Sequence, residues 1–160
     1  MEASKIEWTD NTFNPWWGCQ RVSPGCEHCY AETFSKRVGR DLWGPEAGRR
    51  VASESYWRKP LKWNDEARQA GKPTRVFCAS MCDVFEDRPD LVAPRQRLWD
   101  LIDRTPNLTW QLLTKRPENI RHLKPYHWMA FPDNVWMMTT AEDQQRLYKR
   151  APYITSAALF

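Results

Sequence analysis

No stretch of this sequence approaches the roughly 18 consecutive apolar residues that a membrane-spanning helix needs. Its first residues, Met1-Glu2-Ala3-Ser4-Lys5-Ile6-Glu7, carry no apolar core of the kind a secretory signal has, so a soluble, cytoplasmic protein is expected. Glycine is scarce, at six residues against twelve prolines, which excludes collagen-like and glycine-rich low-complexity chains. An even cysteine count is also missing. The five thiols, Cys19, Cys26, Cys29, Cys78 and Cys82, argue against a disulfide framework in a chain without an export signal. There is no strong charge excess either, since the net charge is +4. What is abundant is tryptophan. Ten in 160 residues is a large aromatic load, and most of it should lie in a core or along a pocket wall.

The mild net charge hides an uneven distribution. Residues 36–75 hold eleven Lys or Arg against five acids, a local +6, while the remainder of the chain is at −2. Trp43, Tyr56, Trp57 and Trp63 lie in the same stretch, so it could grip a nucleic-acid backbone with stacking support, with Arg49 and Arg50 as contacts. The alternative is a solvated insertion whose aromatics fold back onto the core.

Periodicity and turn residues predict alternating strands and helices in one domain over residues 1–160. Strands are expected at Thr12–Trp17, Arg75–Ser80, Leu108–Thr114 and Asn134–Thr140. Helices are expected at Tyr30–Val38, Asp90–Arg104, Pro117–Leu123 and Ala141–Arg150, followed by a short apolar tail. Residues 40–73 show no sustained period and are expected to be an irregular basic insertion, with a short helix at Asn64–Ala70. Strands joined by helical connections imply right-handed crossovers and a parallel sheet, so the fold class expected is α/β. In such sheets functional residues gather at the carboxyl ends of the strands. The cysteine loop, Cys82-Asp83, Thr114-Lys115-Arg116 and Thr140 with Glu142 would then share one rim.

Three of the five cysteines crowd into eleven residues with the spacing C-x6-C-x2-C. Clustered thiols in a reducing compartment read as metal ligands, because thiolates bind soft metals and iron–sulfur clusters well. Three of them can hold three irons of a [4Fe–4S] cube, leaving the fourth open to S-adenosylmethionine. They can equally form a structural zinc site, with Cys82 or His28 as fourth ligand. A six-residue gap matches neither pattern well, and both readings stay open on spacing alone.

The segments Ile6-Glu7-Trp8-Thr9-Asp10, Gly18-Cys19, Val22-Ser23-Pro24-Gly25-Cys26 and Cys29-Tyr30-Ala31-Glu32 resemble a phage and bacterial three-Cys-motif family of unknown function. The resemblance continues at Val76-Phe77, Ser80-Met81, Gln111-Leu112-Leu113-Thr114-Lys115-Arg116-Pro117-Glu118 and Asn134-Val135-Trp136. It implies a radical-SAM-like partial TIM-like barrel of about four (β/α) strands, with Cys19, Cys26 and Cys29 as cluster ligands and Tyr30 as the aromatic beside the third. Reductive cleavage of S-adenosylmethionine would be the activity, on a substrate the resemblance does not name. The host would be a bacterial or phage-infected cell.

This chain departs from the family pattern at two places. Cys82 replaces a small residue and is a candidate fourth ligand that would close the cluster; the alternative is a small packed residue with no role. Met137-Met138-Thr139-Thr140-Ala141-Glu142-Asp143 replaces a different polar run, yet keeps Glu142 and a hydroxyl on the rim. Relatives continue into further strand–helix units. A sheet of four strands is therefore expected to need a partner polypeptide or a second copy, or else to be a non-catalytic remnant. Lys115 and Arg116 are candidates for holding a carboxylate or phosphate, and Asp83 for a ribose hydroxyl or a capping role. His122 and His127 are expected to be ordinary surface residues. Trp16 and Trp17 are expected to line the pocket.

Overall fold

The computed structural model describes residues 6–157. A central sheet of four parallel strands runs in the order β1 (Asn11–Thr12), β4 (Thr74–Cys78), β5 (Leu108–Thr114) and β6 (Val135–Thr139). The strongest signal in the sequence becomes the central strand. β5 is covered on both faces, and Leu108, Trp110 and Leu112 are completely buried, with Gln111 and Thr114 buried beside them. Phe77 pairs with Gln111 across β4–β5, and Leu112 with Met137 across β5–β6. The result is an α/β protein with a partial TIM-like barrel.

The expected first strand is two strands. Pro15 cannot donate to a ladder, and the chain turns there: β1 joins the parallel sheet, while β2 (Trp16–Trp17) pairs antiparallel with β3 (Arg50–Val51). The bend is fixed by the Asn14 side chain, whose Oδ1 accepts the Met81 N–H at 2.8 Å.

Residues 40–73 are not irregular throughout. After β3, Ser53 caps α2 (Glu54–Trp57) by accepting the Tyr56 N–H, and α3 (Lys59–Ala70) begins with Pro60 in its first turn and ends at Gly71 in a left-handed conformation. The aromatics of this stretch fold inward. Phe13 stacks on Tyr56 at 5.2 Å and meets Trp57 and Trp110 edge-on at 5.3 and 5.8 Å. Trp57 and Trp63 are buried, so neither offers a stacking platform to solvent.

α1 (Tyr30–Arg37) follows the cysteine loop, α4 (Val92–Asp103) follows β4, and α5 (Ile120–Leu123) follows β5. α4 buries Leu98, Trp99 and Ile102, and Trp99 packs on Phe85 and Trp128. The last helix, α6 (Gln144–Ala157), starts later than expected, because Asp143 caps it through the Arg146 N–H. It also continues through the stretch expected to be an apolar tail. No helix among the described residues is long and apolar enough to cross a membrane. Among those residues β6 pairs only with β5, and Trp136 on it is 52% exposed.

A cysteine-lined cavity at the carboxyl rim

Parallel strands place the loops after β1, β4, β5 and β6 at one end of the sheet, where they enclose a cavity of about 380 Å³. Cys19, Cys26, Cys29 and Cys82 all line it, together with Tyr30 and Lys115. Cys78 does not. It is wholly buried in the core beneath, and burial raises its thiol pKa. Nor do Trp16 and Trp17: Trp16 is fully buried, and Trp17 packs against Phe34. The tryptophans that line the cavity are Trp8, from the first motif, and Trp43, from the basic stretch.

The cysteine loop is held from several sides. Gly18 donates its N–H to the Met81 carbonyl and bridges to Cys82, while Cys19 bridges to Trp43. Gly18 has φ = 112°, and a Cβ there would lie 2.5 Å from the Leu42 carbonyl oxygen, so only glycine fits. On the far side Ser23 donates to Glu142 Oε1 at 2.9 Å, and Glu142 is also paired with Arg150 at 3.2 Å. Burial works against the Glu142 carboxylate, but Ser23, Arg150 and Lys115 outweigh it and hold its pKa below the ordinary value. The Tyr30 hydroxyl reaches over to the Ser80 carbonyl at 3.0 Å.

Behind Cys19 lies a buried charge group. Asp83 Oδ1 accepts from the Phe85 N–H and the Thr114 hydroxyl, and Oδ2 accepts from the Lys115 N–H and Arg116 Nη1. The Phe85 contact is an Asx turn, and no helix begins there to be capped. Both oxygens of Asp83 are therefore spent on the protein itself. Arg116 donates through Nη2 to the Gln20 carbonyl at 2.6 Å, and its Nη1 stands 3.6 Å from Cys19 Sγ. Arg49, offered by the sequence as a nucleic-acid contact, is instead forked onto Glu86, with its side chain 1% exposed. Nothing nearby in the chain signals that pair, which spans 37 positions.

The thiols differ in character. Burial pushes Cys19 up to about 12 despite the nearby Arg116 charge. Cys82 is raised as well, by burial and then by Cys78 and Cys19. For Cys26, burial is outweighed by hydrogen bonds from Val22 and Ser23 and by the Lys115 charge, so its pKa lies below the ordinary 9.0. Among the described residues, no three His, Cys, Asp or Glu side chains are drawn to a common coordination point. The donor chemistry nevertheless fits a soft metal centre: three thiols from one loop face one cavity, with a fourth thiol on the adjoining loop. His122 and His127 lie elsewhere, paired with Asp87 and Asp103.

Fold and site together define an α/β half-barrel protein with a cysteine-bearing rim. The chain belongs to the family described as Protein of unknown function (DUF5131), which it matches over residues 3–158. No curated protein matches it. A solved spore photoproduct lyase variant, with bound AdoMet and dinucleoside spore photoproduct, is similar in fold. It aligns with a TM-score of 0.62 at 14% identity, over 98% of this chain and 45% of that one. The chain thus spans less than half of that protein's length, and at this identity the likeness shows a shared fold.

Proposed function

We propose that this is a radical-SAM-like iron–sulfur protein, in which Cys19, Cys26 and Cys29 hold a [4Fe–4S] cluster and S-adenosylmethionine binds in the adjoining cavity. The observation that carries this reading is the convergence of three loop thiols on one cavity at the carboxyl rim of a parallel half-barrel. The similar fold of a protein with bound AdoMet supports it. A reduced cluster supplies one electron for reductive cleavage of S-adenosylmethionine, the chemistry of this cofactor pair. The chain's own residues do the positioning. Ser23, Glu142 and Arg116 hold the loop, and the Tyr30 and Trp43 side chains wall the cavity.

Cys82 supports a second reading. A fourth thiol on the same cavity would supply the remaining ligand of a structural zinc site or of a closed cluster. Anaerobic reconstitution with iron and sulfide separates the two. The first reading expects a brown protein with about four irons per chain, whose electron paramagnetic resonance signal changes on adding S-adenosylmethionine, in wild type and in Cys82→Ser alike. A colourless protein holding one zinc and refusing iron would overturn it. An iron-loaded wild type that responds to S-adenosylmethionine only after Cys82→Ser would establish the closed cluster.

A further inference from the structure

Arg116 and Asp83 look, as residue types on an active rim, like groups waiting for a ligand. Their geometry gives them other work. The Arg116 side chain is 7% exposed and its fork is fully aimed at the protein: Nη1 at Asp83 Oδ2 (3.0 Å) and Cys19 Sγ (3.6 Å), Nη2 at the Gln20 carbonyl (2.6 Å). Glu86 lies 3.7 Å from Nη2 and is itself gripped by Arg49 at 2.8 Å. Two cations and two anions, none with a side chain more than 7% exposed, form a closed neutral group directly behind one cysteine. Water screens charges poorly at such a site, so their effect on the sulfur is large for the distance.

We infer that Arg116 is a positioning residue for the cluster ligand Cys19, fixing that sulfur through a charge-assisted hydrogen bond and setting, with Asp83, the reduction potential of the centre it holds. This rests on the cluster reading above and adds to it a pair of residues outside the ligand set. Hydrogen bonds to the ligand sulfurs and local net charge are the means by which proteins set cluster potentials, and groups behind the ligands orient them. Arginine suits the position because its planar fork serves a carboxylate and a sulfur from one nitrogen and a carbonyl from the other. Lysine, a single point of charge, cannot hold all three in that plane.

The two members of the pair have opposite signs, which gives a signature that a merely structural role would not produce. Arg116→Gln removes the positive charge and its charge-assisted hydrogen bond and leaves Asp83 uncompensated beside Cys19, so the midpoint potential falls. Asp83→Asn leaves Arg116 in excess, so it rises. Arg116→Lys keeps the cation and restores part of the fall. The measurement is a redox titration of the reconstituted protein at one pH, followed by the electron paramagnetic resonance of the reduced cluster, with bound iron counted in each variant. Opposite shifts with partial rescue by lysine are expected. If Arg116→Gln does not fold, the rise in Asp83→Asn and a smaller fall in Arg116→Lys carry the test. Unchanged potentials, or shifts of one sign, in variants that hold iron would overturn the inference and leave the cluster reading standing. A wild type that takes up no iron would overturn both.

Discussion

The closest approach in the cysteine loop gives a sharp test of how that loop is held. A Cβ added to Gly25 would lie 2.4 Å from Glu142 Cδ and 2.6 Å from Cγ, far inside van der Waals contact. The Glu142 carboxylate cannot swing away freely, because Ser23, Arg150 and Lys115 hold it. Gly25→Ala must therefore expel Glu142 and break its hydrogen bond to Ser23. Overpacking of this kind costs about 1–3 kcal/mol, while reduced freedom of the unfolded chain returns about 0.4–1 kcal/mol. A net loss of about 1–2 kcal/mol is expected. Gly48 provides the control, since nothing lies within 4 Å of a Cβ there, and Gly48→Ala should stay within about 0.5 kcal/mol of wild type. Urea unfolding measures both. The decisive arm is a double-mutant cycle: in a Glu142→Ala background the obstacle is gone, and Gly25→Ala should become neutral or slightly stabilising. An equal cost in both backgrounds would refute the steric argument, and with it the claim that Glu142 clamps the loop.

Arg49→Ala strands Glu86, 3% exposed, with only the more distant Arg116 as partner; a loss of about 3 kcal/mol in urea unfolding is expected, against about 0.5 kcal/mol or less for the neighbouring, exposed Arg50→Ala. Similar losses from the two would mean that Arg49 is not buried in its pair. Leu112→Ala opens the middle of the central strand, where the side chain is fully buried, and should cost about 2–5 kcal/mol; a loss below 1 kcal/mol would contradict that packing. Glu142 has a pKa below its ordinary 4.5, so its contribution to stability is fully present above that pH and is lost as pH falls through the depressed value. The stability gap between wild type and Glu142→Gln should therefore be widest near neutrality and close as the pH falls through the depressed carboxylate pKa. A gap that stays constant or widens in acid would reverse the sign of the argument.

Local signals in this chain predict local outcomes well and distant ones poorly. β5 runs over Leu108–Thr114, as its apolar run predicts, and the strand–helix alternation does place the cysteine, Cys82, Lys115 and Glu142 loops at one rim. Where reading failed, the deciding partner was far away. The stretch Thr12–Trp17 reads as one strand on its aromatic and β-favouring residues, yet Pro15 and the Asn14–Met81 contact divide it between two sheets. Residues 59–70 turn Pro60, Trp63 and Ala67 inward, a stripe of three that includes a proline, so only 64–70 reads as a helix in the sequence and its first turn is set by the core it covers. Asp83 and Arg116 stand out in the sequence as candidates by residue type, but only the fold shows that they face each other and that Arg116 faces Cys19.

The six-residue gap between Cys19 and Cys26 also acquires a physical reason. Each residue that lengthens the loop beyond a tight turn is a handle. Gln20 offers its carbonyl to Arg116 after β5, Arg21 forks onto Glu32 of α1 at 3.1 and 2.9 Å, and Ser23 donates to Glu142 after β6. Pro24–Cys26 then closes in a single 3-10 turn, with the Cys26 N–H on the Ser23 carbonyl. A chain covers at most about 3.3–3.6 Å per residue, so the seven steps from Cys19 to Cys26 reach about 23–25 Å. The longer loop can begin beside the loop after β4, where Gly18 bridges to Cys82, and still be fastened at the loop after β6, where Gly25 packs on Glu142. Its thiols are thus presented to the cavity by contacts with three other rim elements. The ordering that a short metal loop obtains from its metal is, in this protein, built largely into the protein contacts, and the spacing that looks anomalous is what makes those contacts reachable.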